Sequence, residues 1–206
     1  MRIVSTLSPD AFRFGMEDKE SAARVIEVAL VERARAGDEK AFRLIFDRHA
    51  PAVRRFLHDL LRDGESADEG TQEVFVRAHG RLGSLRDDEK LQPWLFGIAR
   101  HVFHETLRAR RARARSPVAA DETVDHRPTP EGALMGREAD ALLSDALSQL
   151  SEERRAALLL RIDHGLDYEE IRTIMGWSMA KVKNEIHRAR LELRSRLEKY
   201  VGGRAE

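Results

Sequence analysis

The chain has 206 residues, with 36 Lys and Arg balancing 36 Asp and Glu, a 42% apolar and 6% aromatic content, and no cysteine. That length allows one large domain or two small ones, the low aromatic content excludes a large sheet protein, and disulfides, thiolate metal sites and cysteine nucleophiles are absent. The longest apolar run, Ala156 to Leu160, is far below the roughly 20 residues of a membrane span, and Met1 to Asp10 lacks a signal-peptide core. No membrane insertion is expected, and the cytoplasm is the expected location.

Along the chain, residues 1–20 read as a loose leader. From Ser21 the pattern turns helical and ends near Gly37. Asp38 looks like an N-cap, after which Phe42, Ile45, Phe46, Val53, Phe56, Leu57, Leu60 and Leu61 recur at three- and four-residue spacing, with Pro51 expected to kink or split the run. Ser66 to His79 predicts another helix with Val74, Phe75 and Ala78 on one face. Gly80, Gly83 and Asp87–Asp88 read as a loop. Pro93 is expected to open the next helix at its favoured first position, followed by Leu95, Ile98, Ala99, Val102 and Leu107.

The stretch 116–136 carries Pro117, Pro128 and Pro130 with no apolar face, and reads as a flexible linker. Beyond it, Leu142, Leu143, Ala146, Leu147 and Leu150 define a helix. Ser151 is expected to cap the next one, Asp167 to cap a short helix over Tyr168–Met175, and Ser178 the last, whose inner stripe is Val182, Ile186, Ala189, Leu193 and Leu197. The expected fold is all-α, with two helical domains, 21–115 and 137–206, joined by the linker.

Charge is balanced overall but not locally. Arg108, Arg110, Arg111, Arg113 and Arg115 crowd eight positions, and Lys181 to Arg196 holds six basic residues against Glu185 and Glu192. Basic stripes of this kind suit phosphate backbones, although a solvated helix face has the same appearance. Tyr168 to Arg190 has the form of a helix-turn-helix, whose second helix lies in the major groove. The inward stripe leaves Ala180, Lys181, Lys183, Asn184, His187 and Arg188 outward, where Asn and Lys suit base edges and Lys and Arg suit phosphates. Plain helical hairpins outnumber DNA-binding ones, but the six-to-two charge bias on this helix favours DNA; a stand-alone operator-binding regulator is the alternative. His101, His104 and Glu105 share a helix, but two histidines at i and i+3 without a third ligand make a poor metal pattern. No metal, cofactor or catalytic residue is expected.

Trp94–Leu95–Phe96–Gly97–Ile98–Ala99–Arg100, preceded by the acidic segment Asp68 to Phe75 and followed by the helix-turn-helix, resembles the extracytoplasmic-function (ECF) sigma factors of the sigma-70 family. The resemblance implies an RNA polymerase initiation subunit with a sigma-2-like bundle and a sigma-4-like helix-turn-helix domain. It implies docking on the polymerase β′ coiled coil through Asp68, Glu69, Gln72, Glu73 and Phe75, and a second-domain contact with the β flap. It implies reading of the promoter −10 element by Arg86, Arg100, His101, His104 and Arg108, with one base flipped beneath the loop Arg86 to Gln92. Lys183, Asn184, His187 and Arg188, with Ala180 and Lys181, match the surface that reads the −35 element. Control by an anti-sigma factor is implied too. Gly70, His79, His101 and Arg172 depart from the family's usual residues. A small residue is usual where Arg172 stands in the first helix of the helix-turn-helix.

Overall fold

Capping chemistry and apolar spacing divide the chain into helices with sharply defined ends. In the computed structural model the described residues are 9–114 and 142–202, with side chains described over 21–114 and 142–198. Among them there is no strand. The first lobe contains α1 (Pro9–Arg35), α2 (Glu39–Leu61), α3 (Gly64–Arg81) and α4 (Leu91–Ala114), with two short 3-10 turns between α3 and α4. The second lobe contains α5, described over 142–148, then α6 (Glu152–Ile162), α7 (Tyr168–Met175) and α8 (Met179–Gly202).

The α1 helix begins at Pro9, well ahead of Ser21, so part of the expected leader is helical. Proline suits a first helical position because the amide it lacks would have no acceptor there. Gly37 takes a left-handed φ of 93°, and Asp38 caps α2 by accepting from Lys40 N and Ala41 N while pairing with Arg33 at 2.6 Å.

Pro51 does not split α2, which runs unbroken past it. Proline removes one backbone hydrogen bond, but the buried residues Ile45, His49, Val53, Phe56 and Leu57 on both sides tie the two halves to one core. The helix ends at Arg62, which itself adopts the left-handed conformation (φ 56°), ahead of Gly64. Asp63 then caps α3 and is held by Arg110, which also bonds Leu61 O and Ser66 Oγ. One member of the arginine cluster is therefore a staple across the α2–α3 corner.

Gly70 explains itself by packing. A Cβ there would lie 3.1 Å from Leu57 Cδ1 and 3.5 Å from Val102 Cγ1, so its absence lets α3 close on α2 and α4. The helix α4 starts at Leu91, so Pro93 is its third residue and not its first, still among the first four whose amides need no intrahelical acceptor.

In the second lobe Ser151 stands before α6, but its hydroxyl makes no capping bond; Glu152 and Glu153 supply negative charge in that first turn. Asp167 and Glu170 form a reciprocal capping box on α7, and Gly176 ends it at φ 66°. Ser178 Oγ accepts from Lys181 N at 3.3 Å and starts α8.

The linker expected at 116–136 lies outside the described residues. The lobes it joins are in contact, α6 resting on α2 and α7 on α4. Arg155 of α6 is buried and donates through Nη2 to Leu60 O at 2.8 Å, placing a cation at the carbonyl end of α2. The His164 ring, just after α6, lies 4.4 Å from Phe96 and 5.6 Å from Phe56 of the first lobe. Burial there pushes its pKa down to about 4, so the ring is neutral in the packed state.

Candidate nucleic-acid and partner interfaces

The acidic face of α3 follows from the helix period. Ala67, Gly70, Thr71, Val74, Phe75 and Ala78 turn inward, which leaves Asp68, Glu69, Gln72 and Glu73 exposed. Phe75 does not join them. It is 4% exposed, with its ring 4.8 Å from Phe46 and 6.5 Å from Phe42, so it shapes this surface from below. Its place on the face of Val74 and Ala78 is the one the apolar spacing predicts, and it lies beneath the exposed residues with which the resemblance groups it; Val76, which is 67% exposed, was overlooked. Glu69, Gln72, Glu73 and Val76 follow i, i+3, i+4, i+7 and make one continuous stripe, and that spacing was the available signal.

Arg54 pairs with Asp68 and holds its carboxyl below the usual carboxylate range. Arg77 bridges Glu73 and Glu105 at 2.6 Å each, joining α3 to α4 and keeping the Glu105 carboxyl low. His79 sets its ring edge-on to Phe42 at 4.8 Å.

On α4, Arg100, His101, His104 and Arg108 fall on one face by the same period, and His101 and Arg108 are exposed. Arg86 is exposed in the preceding loop. Arg100 and His104 are instead covered by the second lobe. Arg100 Nη2 lies 3.0 Å from both carboxylate oxygens of Glu153, Arg100 Nη1 reaches Ile174 O at 3.5 Å, and only 17% of the side chain is exposed. His104 Nε2 lies 3.0 Å from the same carboxylate, and burial holds the imidazole below its usual pKa despite that charge. His104 thus faces Glu153 while Glu105 faces Arg77, so the three groups weighed as metal ligands do not converge.

The helix-turn-helix is built as its spacing predicts. Ile171, Ile174 and Met175 of α7 pack with Val182, Ile186 and Ala189 of α8. Arg172 turns away from that contact and pairs with Glu169 at 2.5 Å in solvent, so its bulk does not obstruct the close approach of the two helices. Ala180, Lys181, Lys183, Asn184, His187 and Arg188 are all exposed. They are not equally free: Lys181 Nζ sits 4.4 Å over the Trp177 ring, and Arg188 is 3.4 Å from Glu185.

Both acids within the basic stripe turn inward, where Arg154 of α6 holds Glu185 and Glu192 at 2.9 Å each. The outer face of α8 is consequently basic over the turns that carry Lys183, Asn184 and His187. Further along α8, Leu193 and Leu197 with Leu158 and Ile162 of α6 line an apolar groove of about 620 Å³ rimmed by Arg190, Arg194 and Glu198.

Comparison with known proteins follows the same division. Family models described as Sigma-70 region 2 and Sigma-70 region 4 match residues 45–113 and 140–193. The chain is 33% identical over 173 residues to the RNA polymerase sigma-H factor of Pseudomonas aeruginosa, covering 78% of this chain and 88% of that protein. It is 28% identical over 186 residues to the ECF RNA polymerase sigma-E factor of Haemophilus influenzae, covering 86% and 98%. Among solved structures it resembles the sigma factor RpoE of Bartonella quintana, determined in complex with the anti-sigma factor NepR. The TM-score is 0.65 at 28% identity, covering 77% of this chain and 98% of that one.

Proposed function

The chain belongs to the extracytoplasmic-function group of the sigma-70 family of RNA polymerase sigma factors, and from that premise we propose how its surfaces divide the work of promoter-directed initiation. The acidic stripe Asp68, Glu69, Gln72, Glu73 and Val76 docks on the β′ coiled coil, with Phe75 as its internal support. The α4 face, with Arg86, Arg100, His101, His104 and Arg108, reads the −10 element as unpaired bases, whose unstacking its contacts offset. The outer face of α8 reads the −35 duplex: Lys183, Asn184 and His187 address base edges, while Ala180, Lys181 and Arg188 flank them on the backbone. The apolar groove of the second lobe seats an amphipathic segment of the β flap. Bond formation belongs to the polymerase, so the chain itself catalyses nothing, and it acts in the cytoplasm. An anti-sigma factor keeps it silent by occupying these same surfaces.

The observation that carries this reading is the pairing of an exposed acidic stripe on one lobe with an acid-depleted basic recognition face on the other. A stand-alone operator-binding protein has use for the second only. The test is transcription by core polymerase with the purified chain over a randomised promoter library. Enrichment of one bipartite motif supports the reading. Equal output with and without the chain, or selection of a single operator-like block that needs no core enzyme, overturns it.

A further inference from the structure

The surface assigned to the −10 element is only partly free in this structure: Arg86, His101 and Arg108 are exposed, but Arg100 and His104 are covered. Arg100 and His104 of α4 both face Glu153, a carboxylate at the first turn of α6. Around this point Lys90 pairs with Glu170 at 2.8 Å, and Arg111 with Glu152 at 2.6 Å, each with its base on the first lobe and its acid on the second. The −35 face differs: Lys183, Asn184 and His187 are exposed in the same packed arrangement, because the second lobe meets the first through α6 and α7. The two DNA surfaces are thus unequally available.

We propose that the second lobe is an internal competitor of −10 DNA, with Glu153 occupying the place of a strand phosphate against Arg100 and His104. A carboxylate offers a guanidinium the same two-oxygen acceptor edge as a phosphodiester. Arg155 on Leu60 O and His164 between Phe56 and Phe96 hold the lobe so that this carboxylate stays on its target. The free chain therefore presents its −35 face and withholds its −10 face. Separation of the lobes on the polymerase frees Arg100 and His104 as well, so strand capture is coupled to assembly. This rests on the assignment of α4 to the −10 element made above.

The test uses the full chain. Because it contains no cysteine, dyes placed at Ser84→Cys and Ser195→Cys report the distance between the lobes by energy transfer. Glu153→Gln keeps the shape and removes the charge, and a Glu153→Gln/Glu170→Gln double variant extends the release if one charge is insufficient. The probes are a single-stranded oligonucleotide bearing the −10 sequence recovered from the promoter library and a −35 duplex from the same source. The variants should bind the single strand at least about tenfold more tightly than the parent chain in the absence of polymerase, with lower energy transfer, while affinity for the −35 duplex stays within about twofold. Unchanged single-strand affinity in both variants overturns the proposal, whether or not the lobes separate, and so does an equal gain for the −35 duplex. Failure of the assembled parent holoenzyme to use the −10 sequence counts against the α4 assignment instead, so the two ideas fail separately.

Discussion

Arg100 on α4 and Glu153 on α6 meet across the two lobes through a guanidinium nitrogen set 3.0 Å from each carboxylate oxygen. The neighbouring Lys90–Glu170 and Arg111–Glu152 pairs span the same boundary, but the Lys90 and Arg111 side chains are 50% and 59% exposed. Exposed pairs of that kind contribute about 0–1 kcal/mol each and are screened by salt. Lys90→Gln should therefore leave the interlobe energy transfer nearly unchanged. A loss of closure as large as that of a core truncation would mean that the rim, and not the buried centre, holds the lobes.

The buried centre gives a stronger test. Phe56 is fully buried, with its ring 5.2 Å from Phe96 and 5.6 Å from His164. Phe56→Ala should cost about 3–5 kcal/mol by thermal or denaturant unfolding and should loosen the lobe contact as well. A cost below about 1 kcal/mol would place the interlobe core elsewhere.

His164 predicts a pH dependence. Its pKa in the packed state is about 4 against 6.5 when free, so the separated state binds the additional proton. Closure is therefore undiminished by this group above pH 6.5 and weakens progressively as the pH falls from 6.5 towards 4, beyond which the loss saturates. Asp163 and Arg55 act on the same ring in opposite directions, and Asp163 is the larger of the two. Interlobe energy transfer should fall across this window in the parent chain. His164→Phe, which keeps the ring stacking, should flatten that part of the profile. An identical profile in both would remove His164 from the contact.

On α8, Lys183→Ala should weaken −35-dependent initiation by about 1–3 kcal/mol and relax preference at one base position. Lys181→Ala, whose ammonium is already engaged with Trp177, should lower affinity more evenly across sequences. Promoter-profile sequencing separates the two, and a reversal of these patterns would exchange their roles.

On α3, Glu69→Lys should abolish binding to core polymerase while leaving unfolding within about 0.5 kcal/mol, since the residue is exposed. Pull-down with core enzyme checks this, and retained binding would move the docking surface off α3.

Much of this was legible in the sequence where a local rule decided the outcome. Asp167 with Glu170, Gly176, Ser178 and the Val182–Ile186–Ala189 stripe specify the helix-turn-helix within one short segment, and the structure follows them. Reading failed where a distant partner decided. Pro51 is carried within α2 by contacts on both sides, and Arg62, not a glycine, takes the left-handed conformation that ends the helix. For Phe75 the apolar face shared with Val74 and Ala78 is the correct guide, and its packing against Phe42 and Phe46 keeps it beneath the exposed stripe in which the resemblance groups it. The lobe-to-lobe contacts of Glu153, Arg155 and His164 join residues 49 to 108 positions apart in sequence, a separation no periodicity reports.

The central claim is that two lobes hold two separate promoter elements while mounted on the polymerase. Photo-crosslinking amino acids placed at His101 and Asn184 in the reconstituted holoenzyme test it most directly. The account predicts that position 101 attaches to the single-stranded −10 segment and position 184 to the −35 duplex of the same promoter, with the −10 adduct dependent on core enzyme. Both positions attaching to one element, or the −10 adduct forming equally well without polymerase, would contradict it.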